Sequence, residues 1–428
     1  MSQRTGRAAG EEKPMSGGEG PRWSVEAPAG TFVGVYYIRT RDSLRRTAEF
    51  IASEESAGPW AGGPSPTDLY RRSLASVLEF HELAPGEGYA AIAFPSHNLP
   101  DRGSPFAAIW LYLTAGPLFE RPFAEIVRLV DVDFPDQILR AFRGPRFGIS
   151  GTRSLLRVDP EQLLLGTIVK PGAGLTPEEV AARCEIVARA GVDLIKDDEK
   201  MNNPAYCGLV PRVRAVASAL QRVEAETGHR TIYCAHVTAR PDEMLAAGRD
   251  AVRAGATGLM VNVFASGLAA LEMLTGADDL GVPVYVHSGG RSALSQPGAS
   301  GIDVAVFAKF VRLLGGDFLD IYAQGGYLFS GTLDEAKRRA EALRSPWGPI
   351  AATLPACSGG LWAGNVGANY AAFGRDIIPM AGSAILAHPM GPAAGVTALR
   401  QAGESHFRGI PLAEYALDHA ELAAVLRR

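Results

Sequence analysis

Short apolar runs recur along the second half of the chain, and most are followed by a longer stretch with apolar positions three and four apart. The runs lie near Leu163–Val169, Val192–Lys196, Thr231–His236, Gly258–Val263, Pro283–His287, Phe318–Tyr322, Ile350–Leu354 and Ile377–Met380. Runs of this length bounded by turn residues predict buried strands, and the three–four spacing predicts amphipathic helices. Helices are expected over Pro177–Ala190, Pro211–Thr227, Pro241–Ala254, Asp303–Leu314 and Leu333–Leu343. About eight strand–helix units in roughly 270 residues match a (β/α)8 barrel better than an open doubly wound sheet. No Gly-rich dinucleotide fingerprint follows an early strand, which counts against a Rossmann domain.

Ahead of this regular region the pattern is shorter and mixed. Strands are expected over Phe32–Ile38, Ser76–Phe80, Gly88–Phe94 and Phe106–Leu113, with helices over Leu44–Ile51 and Pro135–Phe142. That order predicts an α+β domain of ferredoxin-like type, an antiparallel sheet carrying helices. Turn residues crowd Phe142-Arg143-Gly144-Pro145-Arg146-Phe147-Gly148, the expected hinge into the second domain. Residues 1–29 are rich in Gly, Glu, Pro, Arg and Ser and read as a disordered extension. The expected organisation is therefore 1–29 extension, 30–157 α+β domain and 158–428 barrel.

Composition narrows the function classes. The 428 residues carry a net charge of −4 with 47% apolar content, and no basic stripe or membrane-length apolar run stands out, so neither nucleic acid nor a membrane is an expected partner. Four scattered cysteines without C-x-x-C spacing argue against a disulfide framework or zinc site and favour a cytoplasmic protein.

One strand ends abruptly in charge: Gly191-Val192-Asp193-Leu194-Ile195-Lys196-Asp197-Asp198-Glu199. Alternation puts Lys196 and Asp198 on one face and Asp197 on the other, with Glu199 starting the turn. The strand before it ends in Lys170-Pro171-Gly172, so one βαβ unit presents two amines at the same rim, the carboxyl end where barrels do their chemistry. Taken alone, the acidic residues equally suit a solvated turn or a helix cap.

Together these segments resemble the large subunit of ribulose-bisphosphate carboxylase. The resemblance rests on Thr167-Ile168-Val169-Lys170-Pro171, Gly191 to Glu199, Ser358-Gly359-Gly360, and His388-Pro389-Met390-Gly391 with Ala394-Gly395, in order. Glu54-Glu55-Ser56-Ala57-Gly58-Pro59-Trp60 and Phe142-Arg143-Gly144-Pro145 add the amino-terminal domain and linker. The departures point away from CO2 fixation. Tyr327 stands where the carboxylase loop carries the lysine that holds CO2. Gly172 replaces a second lysine, Ser288 a phosphate-binding arginine, and Asp320 a histidine. Gly382-Ser383-Ala384 replaces a triple glycine, and Pro117 an asparagine. The chain is thus identified with the RuBisCO-like proteins, which keep the metal centre and run other reactions.

The resemblance implies Mg²⁺ held by Asp198, Glu199 and Lys196 after its amine captures CO2 to become a carbamate, an anionic oxygen donor suited to a hard cation. It implies Lys170 as the proton-handling group and His287 as a ligand for a substrate hydroxyl, a structural strand-end histidine being the other reading. Ser358, Gly359, Gly360, Gly382 and Ser383 are candidate phosphate contacts, with simple turns an equal reading. Arg291 reads as a solvated surface arginine or as a replacement phosphate contact, and His236 and Asn262 as pocket, core or capping groups. Trp60 and Glu54 resemble residues that complete a neighbour's site in a homodimer or higher even oligomer, although Trp60 also suits a core. The expected activity is an enolase/isomerase or decarboxylase acting through an enediolate on a small phosphorylated keto-sugar or keto-acid. The competing expectation is a non-catalytic homologue that serves binding or assembly.

Overall fold

Unbroken burial along the interior of Thr31–Arg39 (β1) fits a central strand covered on both faces, and it pairs antiparallel on both sides. The computed structural model describes residues 25–116, 118–119, 124–291, 299–327 and 332–427. The expected extension therefore lies, through residue 24, outside the described residues, as does Pro117. β1 is flanked by Glu87–Pro95 (β3), itself beside Ser76–Ala84 (β2), and by Ile126–Asp133 (β4), giving the antiparallel sheet of an α+β domain. The helix Leu44–Glu54, capped by the Ser43 hydroxyl, lays Leu44, Ala48 and Ile51 on this sheet.

One expectation for this region fails, and one strand was missed. Phe106–Thr114 is a helix rather than a strand, burying Phe106, Ile109 and Leu113. That is helical spacing, which an almost uninterrupted apolar run conceals. The strand expected there is supplied instead by β4, whose charged positions at its partly exposed sites obscured it.

The second region closes as a parallel eight-stranded barrel. Its strands are Gly166–Ile168 (β5), Leu194–Lys196 (β6), Ile232–His236 (β7), Gly258–Asn262 (β8), Val284–His287 (β9), Phe318–Tyr322 (β11), Leu354–Ser358 (β12) and Ile378–Ala381 (β13). The seventh barrel strand begins at Leu354, where an expected strand over Ile350–Leu354 would have ended. The shift brings Ser358 level with Tyr322 at the rim. Leu194, Ile232, Cys234, Met260, Tyr285, Phe318, Ala356 and Met380 fill the interior, and Leu156 from the helix Gly148–Leu156 packs against them. Gly166 is required by this filling: a Cβ there would stand 2.1 Å from the Met380 sulfur. The four cysteines are buried and free. Among the described residues, no helix is long and apolar enough to cross a membrane.

Sheet and barrel are joined by more than the linker. Gly301–Ile302 (β10), inserted after β9, pairs parallel with β4. Asp303 then caps the helix Val304–Leu313 and accepts from Arg128 of β4 at 3.3 Å. Phe310 on that helix packs against Trp110 and Phe134 at 5.0 and 6.1 Å between ring centroids.

A buried carboxyl beside the amino-domain motif gives a pH test. The Glu55 Oε1 atom is buried without a hydrogen-bond partner, and burial pushes the carboxyl up to about 8 despite a bond from the Leu118 backbone. Between the ordinary carboxylate range and pH 8 the folded chain keeps a proton that the unfolded chain has released, so stability falls as pH rises through that window. Glu55→Gln is expected to raise the melting temperature at pH 9 and to leave it unchanged at pH 4. Equal shifts at both pH values would contradict the assignment.

Candidate active site

The barrel's inward face carries the chemistry because alternation continues past the apolar interior. Leu194 is inward, so Lys196 and Asp198 follow it into the barrel mouth while Asp197 turns outward. Asp197 is fully buried there, 3.1 Å from the equally buried Arg212, and accepts from the Tyr233 hydroxyl at 2.7 Å and the His236 N–H at 3.0 Å. It anchors the strand and leaves the mouth to its neighbours.

Lys196 is only 2% exposed. Its amine donates to the Asp197 carbonyl at 3.3 Å and lies 5.6 Å from the centre of the Tyr285 ring, with no salt bridge among the described residues. The Asp198 carboxylate is held instead by Lys170, and its Oδ1 accepts from the Lys200 N–H at 3.0 Å. Burial pulls the Lys170 amine down, but the Asp198 bond and the Glu199 charge outweigh it and leave it above the ordinary lysine range. Burial likewise opposes ionisation of Asp198, and the lysine overcomes it, holding that carboxyl below its usual range.

Gly172 is pressed against this pair. A Cβ at that position would stand 2.3 Å from the Asp198 Oδ1, so a side chain where the carboxylase pattern has its second lysine requires the Asp198 carboxylate to move.

His287 ends β9 with a defined tautomer. The Gly289 N–H donates to Nδ1 at 3.2 Å, so the ring proton sits on Nε2. Nε2 faces the Asp320 Oδ2 at 3.3 Å and the Glu199 Oε2 at 3.7 Å. Burial lowers the His287 pKa despite these carboxylates, favouring the neutral ring. Asp320 also accepts from the Tyr285 hydroxyl. Asn262 supports the histidine from the preceding strand, β8: its amide nitrogen donates to the Gly289 carbonyl at 2.9 Å while its oxygen caps the helix that follows β8. His236 is a buried neighbour bonded to the Thr238 hydroxyl at 2.6 Å, and burial drives it down to about 4.

These groups surround a cavity of about 330 Å³ at the carboxyl end of the barrel. Lys170, Lys196, Glu199 and His287 line it together with Ser358, Gly359, Gly360, Gly382 and Ser383. The structure thus gathers nearly all the sequence-expected residues around one space. Asp198 reaches it through Lys170. Trp60 does not line it within one chain; its indole donates to the Gly63 carbonyl at 2.8 Å and packs on Tyr70. Tyr327, 82% exposed, stands at the mouth.

Trp362, 43% exposed on the cavity wall, was missed. Its signal was a large aromatic directly after Ser358-Gly359-Gly360-Leu361, in a loop fixed by Asn365, which accepts from the Trp362 N–H and donates to the Gly360 carbonyl. Arg291 is also corrected: it is buried, not solvated.

Lysines, carboxylates and an oriented histidine at the carboxyl mouth of a parallel barrel place the candidate site where α/β-barrel proteins carry theirs. The ribulose bisphosphate carboxylase large-chain models match this chain, the N-terminal domain over residues 25–138 and the catalytic domain over 148–428, and the chain belongs to that family. It is 34% identical over 415 residues to the 3-oxo-isoapionate-4-phosphate decarboxylase of Rhizobium rhizogenes, covering 92% of this chain and 97% of that one. The octameric ribulose-1,5-bisphosphate carboxylase/oxygenase of Pyrococcus horikoshii superposes with a TM-score of 0.86 at 30% identity, covering 94% of each chain. A rubisco-like protein from Burkholderia fungorum superposes with a TM-score of 0.84 at 31% identity, over 93% of this chain and 99% of that one.

Proposed function

We propose that this protein is a Mg²⁺-dependent enzyme that forms an enediolate on a small phosphorylated keto-sugar or keto-acid, as an enolase/isomerase or decarboxylase, and that it does not fix CO2. The observation that carries this reading is the single cavity onto which Lys170, Lys196, Glu199 and His287 converge. Similarity to a phosphosugar-acid decarboxylase supports it.

The donor set fits a hard cation in a specific way. Among the described residues no group of three His, Cys, Asp or Glu side chains is arranged to hold a metal. Asp198 and Glu199 supply two anionic oxygens, and a third requires Lys196, whose buried amine lacks an ion-pair partner and is free to capture CO2. Asp198, Glu199 and a carbamylated Lys196 would hold Mg²⁺, which would supply Lewis-acid polarisation of a carbonyl oxygen. The chain's own groups do the rest. Lys170 stands with its protonated amine on the cavity wall, placed to give a proton to a developing oxyanion and, once deprotonated, to take one from carbon. The His287 Nε2–H donates towards the carboxylates and orients a substrate hydroxyl. The glycine loops present backbone N–H groups for a phosphate.

Tyr327 and Gly172 stand against carboxylation, because they leave no cation in the two places where the carboxylase pattern has lysines. Incubation with ribulose bisphosphate and labelled bicarbonate is expected to incorporate no label. Robust incorporation would overturn this part of the proposal. The enolising step is tested by deuterium wash-in from solvent into ribulose 5-phosphate and related phosphoketoses with Mg²⁺ and bicarbonate. Exchange favours the enzyme, and its absence across the panel favours the non-catalytic homologue.

The working unit is proposed to be at least a homodimer, with Trp60 reaching a neighbour's site. An octameric relative supports assembly. Light scattering at high dilution is expected to retain the dimer mass, and a fully active monomer would contradict it.

A further inference from the structure

We propose that Trp362 and Tyr327 are specificity-determining residues, an aromatic wall that packs against an uncharged, carbon-rich end of the substrate and so selects a monophosphate over a bisphosphate. The proposal deepens the enediolate-enzyme reading and rests on it only in taking the occupant of the cavity to be a phosphate ester.

Trp362 and Tyr327 both line the cavity, yet they are 43% and 82% exposed. Each ring is seated on a glycine. A Cβ on Gly364, in the first turn of the helix Ala363–Phe373, would stand 2.3 Å from the Trp362 Cζ2 and 2.4 Å from Cη2, so the indole lies directly against that backbone. A Cβ on Gly360 would stand 2.8 Å from the Tyr327 Cδ1. The loops that carry the two rings are also tied together. The Ala323 N–H donates to the Ser358 carbonyl at 2.7 Å. The Gln324 N–H donates to the Asn369 side-chain oxygen at 2.8 Å, and the Asn369 amide donates back to the Gln324 carbonyl at 3.1 Å. Ile168, Leu361 and Met380 extend the apolar part of the lining.

Aromatic rings fixed before binding supply contact area at little cost in conformational entropy. Ligand cavities draw on such apolar walls for affinity and on a few polar groups for orientation. The lysines of this lining are engaged elsewhere, Lys170 with Asp198 and Lys196 with the proposed metal. A second phosphate brought against the two rings would therefore lose its hydration with no cation to replace it, which is costly. A carbon chain brought to the same place gains free energy by leaving water.

Calorimetric titration of ethyl, n-butyl and n-hexyl phosphate into the full-length protein tests the wall without magnesium, bicarbonate or turnover. In wild type the affinity is expected to rise about two- to fourfold for each added methylene, the upper figure being full burial of a CH2 group. Trp362→Ala is expected to flatten that rise and Trp362→Phe to keep most of it. Gly364→Ala, which displaces the indole without removing it, is expected to fall between. Ribulose bisphosphate is expected to bind wild type more weakly than ribulose 5-phosphate, and the reverse order would contradict the proposal. Circular dichroism confirms that the variants are folded. No rise with chain length in wild type, or the same rise in folded Trp362→Ala, would overturn the proposal. An unchanged rise together with a weakened dimer in Trp362→Ala would assign the indole to the subunit interface and overturn it equally. Deuterium wash-in by wild type decides the enediolate reading separately: a chain-length effect without wash-in keeps the wall and removes that reading, and wash-in without a chain-length effect does the reverse.

Discussion

Lys196→Ala is expected to abolish deuterium wash-in from solvent into phosphoketoses, lowering the rate by at least about 10³-fold, the scale on which loss of a preorganised electrostatic stabiliser slows a reaction. The variant removes the one amine that lies on the cavity wall, is buried and has no ion-pair partner. Lys196→Met keeps most of the side-chain volume beside Tyr285 and is expected to be equally inactive while melting near the wild-type temperature. Activity in Lys196→Met would show that the amine is a packing group and would sink the metal-anchor role.

The second large effect falls on stability. Asp197→Ala is expected to destabilise the fold by about 3–5 kcal/mol, because it strands a buried charge on Arg212 and removes the acceptor of the Tyr233 hydroxyl and the His236 N–H. Urea denaturation at neutral pH measures it, with a lowered midpoint as the expected outcome. A midpoint within about 1 kcal/mol of wild type, the usual range for exposed pairs, would mean that the Asp197–Arg212 pair is not the anchor of β6. Lys196 and Asp197 are adjacent in sequence yet fail in different ways, since alternation sends one into the cavity and the other into the layer between barrel and helix.

That alternation was legible in the sequence, and so was most of the barrel. Strands such as Phe318–Tyr322 and helices such as Leu333–Arg344 are short-range patterns that a single chain displays directly. Phe106–Thr114 was not legible because an apolar run without polar punctuation fits either period, and burial of one face, Phe106, Ile109 and Leu113, decided for the helix. The candidate site residues stand out in the sequence through their rim positions after strands. What the sequence could not show was which partner each charge chooses. Lys170 bonds Asp198, Asp320 turns to His287 and Tyr285, and Arg291 folds inward onto Tyr322 beside an arginine from another helix. These are contacts between residues far apart in the chain, with no local signature. Gly172 is similar. Its identity was visible, but the reason for it, a carboxylate 2.3 Å from any Cβ, belongs to the folded chain.

Carbon-13 NMR of the protein with labelled bicarbonate and Mg²⁺ tests the central claim directly. The account predicts a carbamate resonance in wild type that is lost in Lys196→Met and strengthened by saturating magnesium. A spectrum without that resonance, or one unchanged in Lys196→Met, would contradict it.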